Sequence, residues 1–214
     1  MPGKVGGRVE GKVALITGAG SGLGRASAIH LAQEGARIVA SDLNENSAVE
    51  TAAIINKERQ GAAISAKHDA TSEDDWNAVL ELTKSEFGSL NVLLNNAGIS
   101  IGGDIESTDF AEWKKLQEID VDSVFWGCKL AIPYMKDSGG GSIINLGSNC
   151  FLLADIPVYP CYAIAKSAII GLTRSLAREF GDKNIRVNGI MPGWVMTEKQ
   201  ISTLRPIHHR PPGD

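Results

Sequence analysis

Val13-Ala14-Leu15-Ile16-Thr17-Gly18-Ala19-Gly20-Ser21-Gly22-Leu23-Gly24 decides the fold, because an apolar run breaks straight into a cluster of glycines. Val13–Thr17, flanked by Lys12 and Gly18, reads as a short buried strand. Leu23–Glu34 then reads as a helix with Ala26, Ile29 and Leu31–Ala32 on its inner side, stopped by Gly35. Glycines at such a junction permit a tight turn, close approach of backbone N–H groups to a phosphate, and close helix–strand packing. Gly18, Gly22 and Gly24 are spaced G-x-x-x-G-x-G, not the commoner G-x-G-x-x-G. A glycine cluster alone serves equally well as a plain turn. Its position between a first strand and a first helix favours a phosphate-binding one.

Working outward, Arg37–Asp42 reads as a second strand and Ser47–Gln60 as a helix capped by its own first residue. Ala63–Asp69 is a third strand. Thr71 or Ser72 then caps an acidic first turn, Glu73-Asp74-Asp75, of a helix reaching Phe87. Leu90–Asn95 is a fourth strand, Phe110–Met135 a long helix with a break near its start, and Ser142–Leu146 a fifth strand. Tyr159–Phe180 is a second long helix and Ile185–Met191 a sixth strand. This β-then-α alternation predicts an α/β fold: a doubly wound, Rossmann-type parallel sheet with helices on both faces. With no internal repeat or linker, residues 1–214 form a single domain. Arg205–Asp214, with three prolines and no apolar periodicity, reads as a disordered tail. His208-His209 within it reads as a solvated pair, and no metal site is expected.

Bulk properties narrow the function classes. The 214 residues are 43% apolar and 21% charged with a net charge of −4, which argues against nucleic acid or an anionic membrane as a partner. Cys128, Cys150 and Cys161 have no metal-ligand spacing and suit free thiols in a reducing compartment. Thiol chemistry at Cys150 or Cys161 has no neighbouring histidine in sequence to activate it. Met1–Gly11 lacks the apolar run of a signal peptide, and no later run reaches the length of a membrane span. A soluble, cytoplasmic protein is the expectation.

Two further features carry chemistry. Asp42 ends the second strand, where the ribose of a dinucleotide would lie. Its carboxylate can accept hydrogen bonds from both ribose hydroxyls and would repel a 2′-phosphate, which neither Ser21 nor Leu43 could neutralise. NAD is therefore expected over NADP. Tyr162 and Lys166 stand at i and i+4, on one helix face. A free phenol titrates near pKa ~10, too high for a base at neutral pH. A fixed cation nearby would bring it down. Ser148 follows the fifth strand, where an open α/β sheet presents its ligand cleft.

Taken in order, Thr17–Gly24, Asp42, Asp69, Asn95-Asn96-Ala97-Gly98, Ser148, Tyr162 with Lys166, and Pro192-Gly193 through Thr197 resemble the short-chain dehydrogenase/reductase family, from about Gly11 to Thr197. The resemblance implies an oxidoreductase that moves a hydride between NAD and a carbon bearing a hydroxyl or carbonyl, on a small alcohol, sugar or steroid-like substrate. Gly18, Ser21, Gly22, Leu23 and Gly24 would meet the cofactor's pyrophosphate and ribose, with Asp42 and Leu43 at the adenosine ribose. Asp69 and Ala70 would bracket the adenine, and Asn96, Ala97 and Gly98 would back the cofactor. Tyr162 would be the acid/base, Lys166 would lower its pKa and hold the nicotinamide ribose, and Ser148 would bind the substrate oxygen. Pro192, Gly193, Val195 and Thr197 would clasp the nicotinamide end. Relatives are usually dimers or tetramers, for which the two long helices offer a face.

The pattern is broken in three places. Asp120 stands where relatives carry an Asn that routes protons toward the lysine, and an ionised Asp accepts hydrogen bonds but donates none. A second charge near Lys166 would strengthen the lysine's hold on its proton. Ser148 and Tyr162 lie one residue further apart than expected, which an insertion across Asp155–Pro160 would absorb. Relatives also continue past the Thr197 region with helices and a seventh strand, so the sixth strand is expected to be an uncovered edge. These departures keep a second expectation open: a catalytically impaired, NAD-binding short form that acts as a binding or assembly partner.

Overall fold

A computed structural model of the chain describes residues 7–153, 160–198 and 201. Its centre is a parallel sheet of six strands: β1 (Val13–Thr17), β2 (Arg37–Asp42), β3 (Ala63–Lys67), β4 (Val92–Asn95), β5 (Gly141–Leu146) and β6 (Ile185–Ile190). Their order is β3-β2-β1-β4-β5-β6, with every pair parallel. The chain winds outward from β1 to β3, returns to lay β4 against the other side of β1, and continues to β6. This is the doubly wound arrangement expected from the alternation. All five residues of β1 are buried, enclosed by neighbours and helices, and four of them are apolar.

Helices α1 (Gly22–Gln33) and α2 (Glu45–Glu58) cover one face, where Ala28, Ala32, Ala52 and Ile55 pack on Ile16, Ile38 and Ala40. The other face holds α3 (Glu73–Phe87), α5 (Ser123–Asp137) and α7 (Pro160–Phe180). There Trp76, Leu80, Val124, Met135 and Ile169 meet Leu15, Leu93 and Ile143. Fully burying each of these large side chains contributes about 1.5–3 kcal/mol. α4 (Phe110–Gln117) and the short α6 (Cys150–Leu153) complete the helices.

Several boundaries differ from the sequence reading, for local reasons. α2 starts two residues before Ser47, because the Asn44 side chain accepts the Ser47 N–H and caps the helix first. Ser72, not Thr71, caps α3 by accepting the Asp75 N–H. The buried stripe of α1 is Gly24, Ala28 and Ala32, and Ala26 faces solvent. The break in the long helix is a stretch of π-helix, Glu118–Asp122, between α4 and α5. β6 is an edge strand whose Arg186, Asn188 and Ile190 are exposed. The expected tail Arg205–Asp214, the pair His208-His209 and most of the Asp155–Pro160 insertion lie outside the described residues.

Candidate active site

The winding reverses between β1 and β4, and the cleft of such a sheet opens there, beyond the carboxyl ends of the strands. At that point Gly18 leaves β1 with φ +62°, in the left-handed region where a side chain is strained. Asn96, just past β4, donates to the carbonyls of Thr17 at 2.8 Å and Gly18 at 3.1 Å. The Thr17 hydroxyl in turn accepts from the N–H groups of Asn96 and Ala97, each at 3.0 Å. A Cβ on Gly24 would lie 2.1 Å from the Gly18 carbonyl oxygen, so only glycine lets α1 pass this close to the turn.

Ser21 precedes α1 in extended conformation, and its side chain makes no capping bond to the helix. The first turn of α1 therefore offers backbone donors and the positive end of a helix dipole. Asp42 closes the side of this turn. Its Oδ2 accepts the Gly20 N–H and its Oδ1 the Asn44 N–H, both at 2.9 Å, while Leu43 beside it is 64% exposed. Asp69 holds its own loop: its carboxylate accepts from the Thr71 hydroxyl and N–H, which pull its pKa below the usual value. The Ala70 carbonyl accepts from the Trp76 indole at 2.8 Å, tying that loop to α3.

Across the cleft, α7 brings Tyr162 and Lys166 under the end of β5. Lys166 is buried; its ammonium donates to the Leu146 carbonyl at 3.3 Å and sits 5.5 Å from the centre of the Tyr162 ring. Ser148 hydrogen-bonds Tyr162 and accepts the Cys150 N–H at 3.3 Å. The π-helical stretch places Asp120, which is fully buried, against Lys166 at 2.9 Å. Its other oxygen accepts the Ile99 N–H at 2.8 Å. π-Bulges are frequent at functional sites. Burial raises the Asp120 pKa, partly offset by Lys166.

The expected lowering of the tyrosine pKa is corrected. Burial, then the Asp120 carboxylate and the neighbouring Cys150, push the Tyr162 phenol up to about 12, with only the Ser148 hydrogen bond acting in the opposite sense. The main physical reason is burial of the phenol, to which the Asp120 carboxylate beside Lys166 adds.

Of the segment after β6, the Pro192 carbonyl accepts the Asn149 N–H, and Gly193 lies close to the Asn149 amide. Thr197 lies against Gly22, and Val195 and Thr197 line a groove of about 360 Å³ with Leu23 and Arg25 of α1. Gly98 lies beneath the Asp120–Lys166 pair. The structure thus gathers Gly18, Ser21, Gly22, Leu23, Gly24, Asp42, Asn96 and Ala97 around one turn, and Ser148, Tyr162, Lys166 and Asp120 around another. Asp69 and Ala70 sit apart, beyond β3.

Sequence reasoning passed over Thr17 and Gly20, whose part is to fix backbone. It also missed a buried polar chain in which Asn95 donates to Asn145 at 2.9 Å and Asn145 to Thr173 at 3.0 Å. Its only signal was a pair of asparagines in otherwise apolar strands. Cys128 touches this chain, and burial pushes its thiol up to about 12.

Comparison with known proteins places the chain in a family. The family model for short chain dehydrogenase matches residues 12–206. The trans-4-hydroxycyclohexanecarboxylate dehydrogenase of Sinomonas cyclohexanicum is 41% identical over 199 residues, covering 91% of this chain and 76% of that protein. The 3-beta-hydroxysteroid dehydrogenase of Comamonas testosteroni is 38% identical, covering 92% and 76%. The crystal structure of 3-ketoacyl-(acyl-carrier-protein) reductase from Brucella melitensis, complexed with NADH, superposes with a TM-score of 0.85 at 32% identity, covering 91% of this chain and 80% of that one. The chain belongs to the short-chain dehydrogenase family and is an oxidoreductase that acts on CH–OH groups.

Proposed function

We propose that this chain is an NAD-dependent dehydrogenase that interconverts a secondary alcohol, including an alicyclic or steroid-like ring hydroxyl, and its ketone, with Tyr162 as the acid/base. The observation that carries the reading is the convergence of Ser148, Tyr162 and Lys166 under the carboxyl end of β5. The residues present fit a dinucleotide. The uncapped first turn of α1 suits its phosphates, and the Asp42 carboxylate, held by two backbone N–H groups, suits free ribose hydroxyls and disfavours a 2′-phosphate. Exposed Met196, with Val195 and Leu23, gives the groove beside α1 an apolar lining, in keeping with relatives named for ring alcohols.

When bound, the nicotinamide supplies the acceptor for the hydride that leaves the carbinol carbon. Ser148 and Tyr162 hold the substrate oxygen between two hydroxyls. In oxidation the Tyr162 oxygen takes the hydroxyl proton as the C=O bond forms; in reduction it returns one. Both hydroxyls are in place before charge builds on that oxygen, so little reorganisation is needed. Lys166 holds the nicotinamide ribose and its charge bears on the phenol. Exposed Phe125 on α5 and Ile164 on α7, each 50% accessible, offer apolar surface that a second copy could cover in a homo-oligomer.

The test is NADH formation from cyclohexanol and 3β-hydroxysteroids. We expect turnover with NAD exceeding that with NADP, and loss of at least a hundredfold in Tyr162→Phe. Unchanged turnover in that variant refutes the mechanism. The Asp120–Lys166 pair favours a second reading, a chain that binds NAD without turning it over. An NAD-raised melting temperature with no activity on any alcohol or ketone would select it.

A further inference from the structure

We propose that Asp120 is a positioning residue that claims the Lys166 ammonium and thereby keeps Tyr162 a phenol through neutral pH, setting the pH at which the site can work. This rests on the reading of Tyr162 as the acid/base. Three observations carry it. Asp120 is fully buried and in ion-pair contact with the Lys166 nitrogen at 2.9 Å, and that same ammonium sits 5.5 Å from the centre of the Tyr162 ring. The π-helical stretch exists where Asp120 must turn inward, and the Ile99 N–H fixes its second oxygen at 2.8 Å. Lys166 is itself buried, so water screens neither charge.

Four groups among the described residues bear on the phenol. Ser148 reaches it from beyond β5, Cys150 from α6, Asp120 from the π-helical stretch and Lys166 from its own helix. Lys166 is faced by Asp120 and the Leu146 carbonyl. Of these only Lys166 stabilises phenolate by its charge, and Asp120 cancels it. An asparagine at 120 would keep the acceptor for Ile99 and remove the cancelling charge. The overall equilibrium between alcohol and ketone is untouched by such a change. Oxidation, which needs phenolate, would begin at lower pH, and reduction, which needs phenol, would fall off at correspondingly lower pH.

The test needs neither cofactor nor substrate. Tyrosinate absorbance is followed against pH in the wild-type protein and in Asp120→Asn, each as a difference from its Tyr162→Phe counterpart, which removes Tyr134 and Tyr159 from the signal. We expect wild-type Tyr162 to remain a phenol at pH ~10, the ordinary tyrosine midpoint, and Asp120→Asn to titrate at least one pH unit below wild type. Asp120→Ser serves if the Asn variant does not melt cooperatively. A wild-type Tyr162 already ionised near pH 8, or variants that titrate with or above wild type, would overturn the proposal. A purely structural role for Asp120 would lower the melting temperature without moving this midpoint. If turnover survives in Tyr162→Phe while the midpoint moves as expected, the reading of Tyr162 as acid/base fails and the charge assignment stands.

Discussion

Replacing Gly24 with alanine sets two opposed effects against each other. In the first turn of α1, alanine in place of glycine gains at most about 1 kcal/mol of helix propensity. The new Cβ, however, would lie 2.1 Å from the Gly18 carbonyl oxygen and 2.5 Å from the Asn96 side-chain nitrogen. Neither neighbour yields easily. Gly18 is backbone in a left-handed turn, and the Asn96 amide is held by the carbonyls of Thr17 and Gly18. Overpacking of this kind costs about 1–3 kcal/mol, and each of the two hydrogen bonds lost adds about 1 kcal/mol. The steric term wins, for a net loss of about 3 kcal/mol. At roughly 2–4 °C per kcal/mol for a domain of this size, melting falls by about 6–12 °C. Gly171→Ala is the control, since a Cβ there, mid-way along α7, meets nothing within 4 Å. It should raise melting slightly. A Gly24→Ala protein that melts with or above wild type would show that the turn and α1 are not packed as described.

Two further outcomes follow from buried or tethered charge. Burial holds His68 down to about 4 from its ordinary 6.5. Between those values the unfolded chain binds more protons than the folded one, so stability rises with pH across the window. It falls by about 3 kcal/mol on acidification from the upper to the lower value. Urea midpoints measured through that range should slope less steeply in His68→Gln, and an equal slope refutes the assignment. Asp42→Ala should let NADP raise the melting temperature as well as NAD, because the carboxylate that disfavours a 2′-phosphate is gone; a variant still stabilised by NAD alone would place discrimination elsewhere.

The strands were legible because a strand covered on both faces needs an unbroken apolar run, as in Val13–Thr17. Helix existence was legible from periodicity, yet faces and ends were less so. The inner stripe of α1 is Gly24, Ala28 and Ala32, small residues chosen for close approach, whose hydrophobic signal is weaker than that of Ile29 and Leu31. Asn44 and Ser47 are both good caps, and only the path of the chain out of β2 decides between them. The π-helical stretch showed in the sequence as a break near the start of the long helix, but the pattern does not distinguish an inserted π-turn, which rotates the following face by about 100°, from a plain kink. Around the cleft, the sequence reading picked out residues that carry side-chain chemistry and gave no role to Thr17 and Gly20, whose part is to fix backbone. The correction to Tyr162 has the same origin. The i, i+4 spacing of tyrosine and lysine is local, whereas the carboxylate that claims the lysine arrives from another element; the resemblance pointed to Asp120 there, but the spacing alone did not weigh it.

Sequence spacing also understates what holds Tyr162 and Lys166 in place. On α7 the residues Lys166, Ile169 and Thr173 share the buried face. Lys166 donates to the Leu146 carbonyl, and Thr173 accepts from Asn145, so both grip β5. Asn145 is itself bound to Asn95 at the end of β4, just before the Asn96 that pins the glycine turn. A slip of α7 by one residue would rotate its face by about 100° and break the Lys166 and Thr173 contacts together, while withdrawing Ile169 from the core. The two halves of the cleft are therefore joined through the ends of β4 and β5 by directed bonds, each modest at about 1 kcal/mol but all sharing one register. That arrangement explains why buried asparagines are kept in a sheet that apolar residues would fill more cheaply. They fix where the phenol stands relative to the phosphate-binding turn, which hydrophobic packing alone leaves free to slide.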